Sequence, residues 1–411
     1  MNRKPVVIIA LITAVCVLGD AMLFIVLPLY WHDFGLTSLW QVGILLSINR
    51  FIRLPINPLV GWCYLRINKR TGVLLAVILA MLTTFSYGWL QSFWLLFMMR
   101  SLWGVAWAFL RLGGYLTVID TSTDNTRGHL VGLYNGLWGL GGLVGMLAGG
   151  VLADLVGIET VTNTFGLVAL IVLPFVWKYV PATKASSEGP SKLQGSLSEV
   201  EYSLFKKREV VIVLISGLLI PLIIFGIFAS TLSAVIDTQL SSSFIFLGMA
   251  VGAASFAGII QSIRWGWDPF LAPFVGRISD LKWGRKSLLI FALFGGAVFF
   301  ALIPFGVSVY SLLFLLLGFQ FMSTMMVTLN DSIASDVASN TSKVKVITAY
   351  TIAVDLGSAL GPLLSYLILE WTGINVLYWL TSGLLCLVGV FWISQLKKTR
   401  QSHAFGAGCG S

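Results

Sequence analysis

Five arginines, Arg50, Arg53, Arg100, Arg111 and Arg264, stand inside apolar runs, and Asp20, Asp268, Asp331 and Asp355 stand in similar surroundings. Lone charges in such places are costly and mark function. Guanidinium forks match carboxylate or phosphate oxygens, so these arginines suit an anionic or zwitterionic solute. A carboxylate whose proton leaves and returns can couple that solute to proton movement, because its affinity for the proton changes with solvation and with an arginine partner. Asp20 is the first candidate for the proton carrier and Asp355 the second; the competing reading makes Asp20 an acceptor for a substrate amine. Helical phase groups the residues further. Three turns take about 10.8 residues, so Arg100 and Arg111 share a face, as do Gln320 and Asp331. Arg50, Arg53 and Asn57 form one stripe, and Gln261, Arg264 and Asp268 another. The expected ion pairs are Arg53 with Asp268, or Arg50 with Asp20, exchanging partners during a transport cycle; static bracing is the alternative. Trp103, Trp107, Tyr134 and Trp138 could add aromatic walls.

The elements that must position these groups follow from composition. With 57% hydrophobic and 10% charged residues, the 411-residue chain lacks the polar surface of a soluble protein, so lipid must be its outer environment. A hydrocarbon layer ~30 Å thick takes about 20 helical residues. Twelve runs qualify: 6–30, 39–64, 71–91, 93–119, 128–153, 160–180, 209–236, 253–279, 287–307, 311–336, 345–370 and 375–396. The fold expected is therefore an all-α membrane protein with twelve transmembrane helices in two six-helix bundles. The bundles occupy 1–180 and 209–396, joined by a cytoplasmic linker at 181–208 and followed by a cytoplasmic tail at 397–411. Gln239 to Val251 is surplus to the second bundle and reads as an interfacial segment, an outer loop or a helix extension.

Apart from the five intramembrane arginines, the 26 Lys and Arg residues occupy alternate gaps only, which places both termini in the cytoplasm of a multi-pass protein, with a bacterial inner membrane as its expected site. The net charge of +9 is then topological, and nucleic acid is not an expected partner. The first span contains Asp20 and no small-residue cleavage site, so it reads as a retained helix. Cys16, Cys63, Cys386 and Cys409 show no disulfide or metal spacing, and His32, His129 and His403 are too dispersed for a catalytic or zinc cluster. No metal, cofactor or enzymatic activity is expected. The expected partners are a small-molecule solute, protons and lipid, with the chain acting as a monomer.

The two halves repeat. Gly43-Ile44-x-x-Ser47-Ile48 with Pro58-Leu59-Val60-Gly61 recurs as Gly258-Ile259-x-x-Ser262-Ile263 with Pro273-Phe274-Val275-Gly276, an offset of 215 positions. Downstream, Asp120 falls on Asp336 and Gly141-x-x-x-Gly145 on Gly357-x-x-x-Gly361, an offset of 216. One inserted residue in the Asp280 to Lys286 loop accounts for the change. A parallel repeat places a substrate site between the bundles near mid-membrane.

With these motifs the whole chain resembles the major facilitator superfamily. Gly276-Arg277-Ile278-Ser279-Asp280-Leu281-Lys282-Trp283-Gly284-Arg285-Lys286 resembles its loop signature. There the resemblance implies a cytoplasmic gate at Gly276, Asp280, Gly284, Arg285 and Lys286. The first-half counterpart keeps Gly61, Lys69 and Arg70 but has Leu65 where the family has Asp. Arg100-x-x-x-Gly104 resembles a signature of proton-coupled members. Gly141 to Gly150 resembles the antiporter glycine signature, with Met146 in place of Pro, while the other half keeps Gly361-Pro362. Gly145, Gly149, Gly361 and Pro362 are therefore expected to mark helix bends. The function implied is proton-coupled export of a small polar, anionic or zwitterionic solute by alternating access, with a carboxylate siderophore as one such cargo. Import of organic anions is the alternative, and a non-transporting receptor or assembly factor a second.

Overall fold

Lipid offers the backbone no hydrogen-bond partners, so the apolar runs close their own bonds as helices. The computed structural model describes residues 3–122, 127–183, 208–339, 341 and 343–407. Spans one to six are Lys4–Val26, Leu39–Phe51 continued by Arg53–Arg66, Lys69–Trp89, Phe93–Thr121, Arg127–Val156 and Ile158–Tyr179. Spans seven to twelve are Arg208–Leu240, Ala253–Ile278, Arg285–Leu302, Val309–Ser339, Lys343–Thr372 and Ile374–Ala407. Among the described residues the protein is thus all-α but for one short hairpin, with twelve spans. Most of the predicted linker, 184–207, and Cys409 lie outside the described residues. The last helix runs to Ala407, so the segment read as a tail begins as its continuation.

Ten spans are long and apolar enough to cross a membrane by length and composition alone. The second and eighth, which carry Arg50, Arg53, Arg264 and Asp268, are the other two. The second is interrupted at Ile52. Pro55 explains the break, since it lacks the N–H that would bond the Phe51 carbonyl and its ring crowds that oxygen. In the eighth, a π-helical turn at Ser279–Trp283 follows the span and absorbs the residue that changes the repeat offset.

Packing obeys the repeat. Span five lies on span one and span eleven on span seven; spans three and six pair as do nine and twelve. Glycines set these approaches. A Cβ on Gly141, Gly145 or Gly149 would strike Ala14, Leu18 or Met22, and one on Gly357 or Gly361 would strike Leu218 or Gly226. Small residues let backbones come close where lipid supplies no drive for association. Both helices are continuous through Gly145, Gly149, Gly361 and Pro362, and span seven is π-helical at Leu222–Phe228, opposite Gly361.

Among the described residues the bundles join chiefly at two crossings, span two on eleven and span five on eight. They too are repeats of each other: Gly43 presses on the Pro362 carbonyl and Gly258 on the Met146 carbonyl. Ser47 Oγ accepts the Leu363 N–H at 3.1 Å, and Ser262 Oγ reaches the Leu143 carbonyl at 3.4 Å. With twelve crossings both termini share one face, here the terminal face. The joining contacts lie toward the opposite face. Toward the terminal face the same helix faces part: a Cβ on Gly132, Gly136 or Gly266 would meet nothing within 4 Å, and Asn57 and Phe270 are exposed. A crevice between the bundles therefore opens to the terminal face. Residues Ser243–Phe246 and Met249–Gly252 form an antiparallel hairpin, β1 and β2, turned by Leu247 and Gly248 at positive φ. Phe244 and Phe246 pack their rings on Phe256. This hairpin is what the surplus residues before span eight build.

Candidate functional site

Span four supplies the two arginines that organise the crevice. Arg100 is buried, with Nε donating to the Leu45 carbonyl at 2.8 Å and Nη1 paired with Asp20 of span one. Asn49 Nδ2 donates to the same carboxylate oxygen at 3.1 Å. Span two comes this close because residue 104 is glycine, over which Ile52 and the Asn49 carbonyl lie. The Arg-x-x-x-Gly spacing thus provides both the charge and the room for its neighbour. Asp20 is therefore partnered by Arg100 of its own bundle, which corrects the expected Arg50–Asp20 pair. Arg50 sits instead 5.7 Å from the Phe24 ring.

Three turns further along span four, Arg111 Nη1 lies 3.9 Å from Asp355 Oδ2 of span eleven, an ion pair between bundles with both side chains about a third exposed. Arg53 is 5.3 Å from the Trp107 ring, and its buried Nε has no hydrogen-bond partner. The aromatic wall continues from Trp107 to Trp138 at 5.0 Å and on to Trp265 of the other bundle at 6.5 Å. Trp265 was not foreseen as a site residue. It occupies the repeat position of Arg50, which is the signal that could have found it.

Arg53 and Asp268 do not pair. Asp268 Oδ2 lies 3.8 Å from Arg264 Nε one turn earlier, and its Oδ1 accepts the Thr324 hydroxyl at 2.5 Å. A partner four residues away on the same helix face outcompetes one that must cross the axis. Arg264 also packs on the Phe225 ring at 4.7 Å, and Gln320 donates to Gln261 at 3.3 Å. Asp331 belongs to a network within the second bundle, accepting the Tyr350 hydroxyl at 2.6 Å while Asn330 donates to that hydroxyl at 2.7 Å. Gln320 and Asp331 therefore contact different neighbouring helices. Asn57 is exposed one turn beyond Arg53, on the open side of the crevice.

At the terminal face Arg285 holds two carboxylates, Asp280 at 2.9 Å and Asp336 at 2.5 Å, and donates to the Ser332 carbonyl at 3.2 Å. Gly284 turns the chain at φ 75°, a conformation that favours glycine, before Arg285 and the half-buried Lys286; Gly276 borders open space. In the first bundle Leu65 removes one carboxylate, yet Lys69, at the repeat position of Arg285, pairs with Asp120, at that of Asp336. Lys69 is wholly buried whereas the Asp120 side chain is 41% exposed. Asp120→Ala strands a buried ammonium and is expected to cost about 3–5 kcal/mol. Lys69→Met leaves a carboxylate that water can reach and is expected to cost about 1 kcal/mol or less. Thermal unfolding of the two purified variants in detergent reads this asymmetry; equal losses would contradict it.

Two repeated six-helix bundles that part around a charged, aromatic-walled crevice define a polytopic membrane transporter. Among the described residues no His, Cys, Asp and Glu group could hold a metal ion. The chain belongs to the Major Facilitator Superfamily, whose model matches residues 9–267 and 269–407. The multidrug resistance protein MdtG of Proteus mirabilis (strain HI4320) is 24% identical over 291 residues, covering 70% of this chain and 69% of that protein. The class B tetracycline resistance protein of Escherichia coli is 23% identical over 328 residues, 77% of each chain. The chromaffin granule amine transporter of Rattus norvegicus is 30% identical over 118 residues, 28% of this chain but only 23% of that transporter's length. In fold the chain is similar to the nucleoside transporter NupG, with a TM-score of 0.76 and 16% identity over 97% of this chain and 100% of the other. It is also similar to a bacterial homologue of the human lysosomal transporter Spinster in an inward-facing, occupied conformation, with a TM-score of 0.78 and 14% identity over 95% and 96%.

Proposed function

We propose that this protein exports a small anionic or zwitterionic solute from the cytoplasm of a bacterium across its inner membrane, driven by protons moving inward. The observation that carries the reading is the juxtaposition of a buried Asp20–Arg100 pair with a crevice in which Arg50 and Arg53 make no ion pair among the described residues, though both lie within the field of Asp20 and Asp355. Protonation of Asp20 discharges its pair with Arg100 and frees a guanidinium; solute binding at Arg53 and Arg111, against Trp107, Trp138 and Trp265, uses the donors left over. The positive-inside bias makes the terminal face cytoplasmic, so the crevice is open to the compartment that supplies an exported solute. Drug-resistance names on two relatives support export over import. An amine substrate, suggested by the amine transporters, fits less well because Asp20 already holds Arg100 and Asn49. A polycarboxylate chelator of the siderophore type would engage several of these guanidinium groups at once.

Inside-out vesicles with an acid lumen test the assignment. They should accumulate an aromatic carboxylate or citrate but not a quaternary ammonium ion, and each charge moved per cycle, the anion's as well as the proton's, supports roughly 50-fold accumulation per 100 mV. Accumulation of the carboxylates only with an alkaline lumen would establish import instead. Within that assay, Arg53→Ala should raise the KM for the transported carboxylate about 10-fold or more with little change in maximal rate, as loss of one charge-assisted hydrogen bond predicts. Arg53→Lys should recover only part of it, since an ammonium cannot reproduce the planar fork. An unchanged KM would remove Arg53 from the solute site.

A further inference from the structure

The opposite face carries two hydrogen-bonded contacts between the bundles that repeat each other and that neither the solute site nor the proton pair uses. Asp154, in the last turn of span five, accepts the Ser255 backbone N–H at 2.8 Å and the Ser255 hydroxyl at 2.5 Å, in the first turn of span eight. Glu370, in the last turn of span eleven, accepts the Trp40 backbone N–H at 3.0 Å, in the first turn of span two. Asp154 and Glu370 correspond at the offset of 216, and Trp40 and Ser255 at the offset of 215. Each bundle therefore lends the other one carboxylate.

Helix physics explains why the carboxylates stand there. A helix exposes unbonded N–H groups and partial positive charge at its start, and unbonded carbonyls and partial negative charge at its end. Asp154 and Glu370 each sit at the wrong end of their own helix, and neither last turn carries a basic residue to offset them. Spans two and eight begin with no acidic residue in the first turn and no side-chain bond from their own N-cap residues, Ser38 and Gly252. Each misplaced carboxylate thus meets an uncapped helix start across the bundle boundary. Gly252 admits Asp154, since a Cβ there would overlap the carboxylate. The Tyr30 hydroxyl donates to Asp154 Oδ1 at 2.7 Å, and burial together with that carboxylate raises its pKa well above the usual phenol range, so it remains a donor.

We propose that Asp154 and Glu370 are paired positioning residues that latch the opposite face shut, and that both caps are released when the crevice opens to that side. The inference rests on the alternating-access reading above. Opening leaves both helix starts without their borrowed caps and returns both carboxylates to the unfavourable ends of their own helices. Asp154, with three bonds against one for Glu370, is the stronger half of the latch.

Double electron–electron resonance on the full chain in proteoliposomes tests this, with the native cysteines replaced and nitroxides at Thr37→Cys and Thr372→Cys on the opposite face or at Leu65→Cys and Leu281→Cys on the terminal face. Asp154→Ala should raise the share of long opposite-face distances relative to short ones about tenfold or more, and Glu370→Ala several-fold. The terminal-face distances should shorten in step, and the double variant should exceed either single one. Asp154→Asn, which keeps an acceptor without the charge, should shift less than alanine. Should Asp154→Ala fail to fold, Ser255→Ala removes only the hydroxyl donor and should move the same distribution in the same direction. A parent that switches between distances with solute or pH gradient, alongside variants that match it, overturns the latch alone. A parent fixed in one distribution under every gradient overturns the alternating-access reading and the latch together.

Discussion

Asp20→Asn is expected to abolish proton-driven accumulation in vesicles while exchange of solute across the membrane without a gradient continues. Asparagine keeps an oxygen that can accept from Arg100 and from Asn49, so the contacts that bring spans one, two and four together are largely retained. What is lost is the group proposed to carry the proton. Without it the cycle carries solute but no longer couples it to the proton, so accumulation driven by a pH gradient with no membrane potential should fall to near unity. Counterflow of labelled against unlabelled solute, measured beside gradient-driven uptake, separates the outcomes. Loss of both activities would make Asp20 a structural brace or a solute contact. Retention of both would move the proton to Asp355, the carboxylate paired with Arg111 across the bundle boundary. Removing the counter-ion is a harsher change. Arg100→Ala leaves a partly buried carboxylate unpaired and frees the Leu45 carbonyl from its donor, so a stability loss of about 3–5 kcal/mol should accompany the loss of coupling.

Which residues share a helix face or a repeat position was legible in the sequence; which of them meet was not. Spacing sets Arg264 and Asp268 on one stripe and the repeat aligns Asp120 with Asp336, while the pairings Arg264–Asp268, Lys69–Asp120 and Arg285–Asp336 emerge only in the structure. The expected Arg53–Asp268 pair failed for a physical reason. Positions equivalent by repeat are symmetric about the axis between bundles, and symmetry does not make them near. Their separation depends on how far the bundles part, and at this depth toward the terminal face they have parted, as the open surroundings of Gly136 and Gly266 indicate. The twelve spans were legible because lipid enforces long apolar runs. The break at Ile52 was not, although Pro55 announces it, because the apolar run continues past it. The hairpin at Ser243–Gly252 could only be bounded as surplus length, since its alternation spans too few residues to outweigh a helical reading. Trp265 and the Asp154–Ser255 contact are consequences of packing between halves, where local pattern carries no information.

Gly141→Leu should prevent the first bundle from assembling, whereas Gly136→Ala, five residues earlier on the same helix, should be tolerated. At Gly141 the neighbour is the backbone of Ala14, whose Cα, carbonyl carbon and oxygen all fall within contact of a Cβ, and backbone within a packed helix cannot rotate aside as a side chain can. Even Gly141→Ala must push span one away and is expected to cost about 1–3 kcal/mol; leucine adds three more carbons to the same clash and should exceed that range. The damage would spread along the helix, because Gly145 against Leu18 and Gly149 against Met22 belong to the same seam, and span one also carries Asp20. At Gly136 a Cβ meets nothing within 4 Å, and alanine in a helix is favoured over glycine by about 0.5–1 kcal/mol. Thermal unfolding of detergent-purified variants, monitored by size exclusion, should therefore rank Gly136→Ala at or above the parent, Gly141→Ala below it and Gly141→Leu as unrecoverable. Equal stability of Gly136→Ala and Gly141→Ala would mean that spans one and five do not meet through these glycines. Because Gly136 lies on the face of span five that turns toward span eight, a larger side chain there has a further use: Gly136→Trp should leave folding intact yet obstruct closure of the terminal face, holding the crevice open and arresting transport without unfolding the protein.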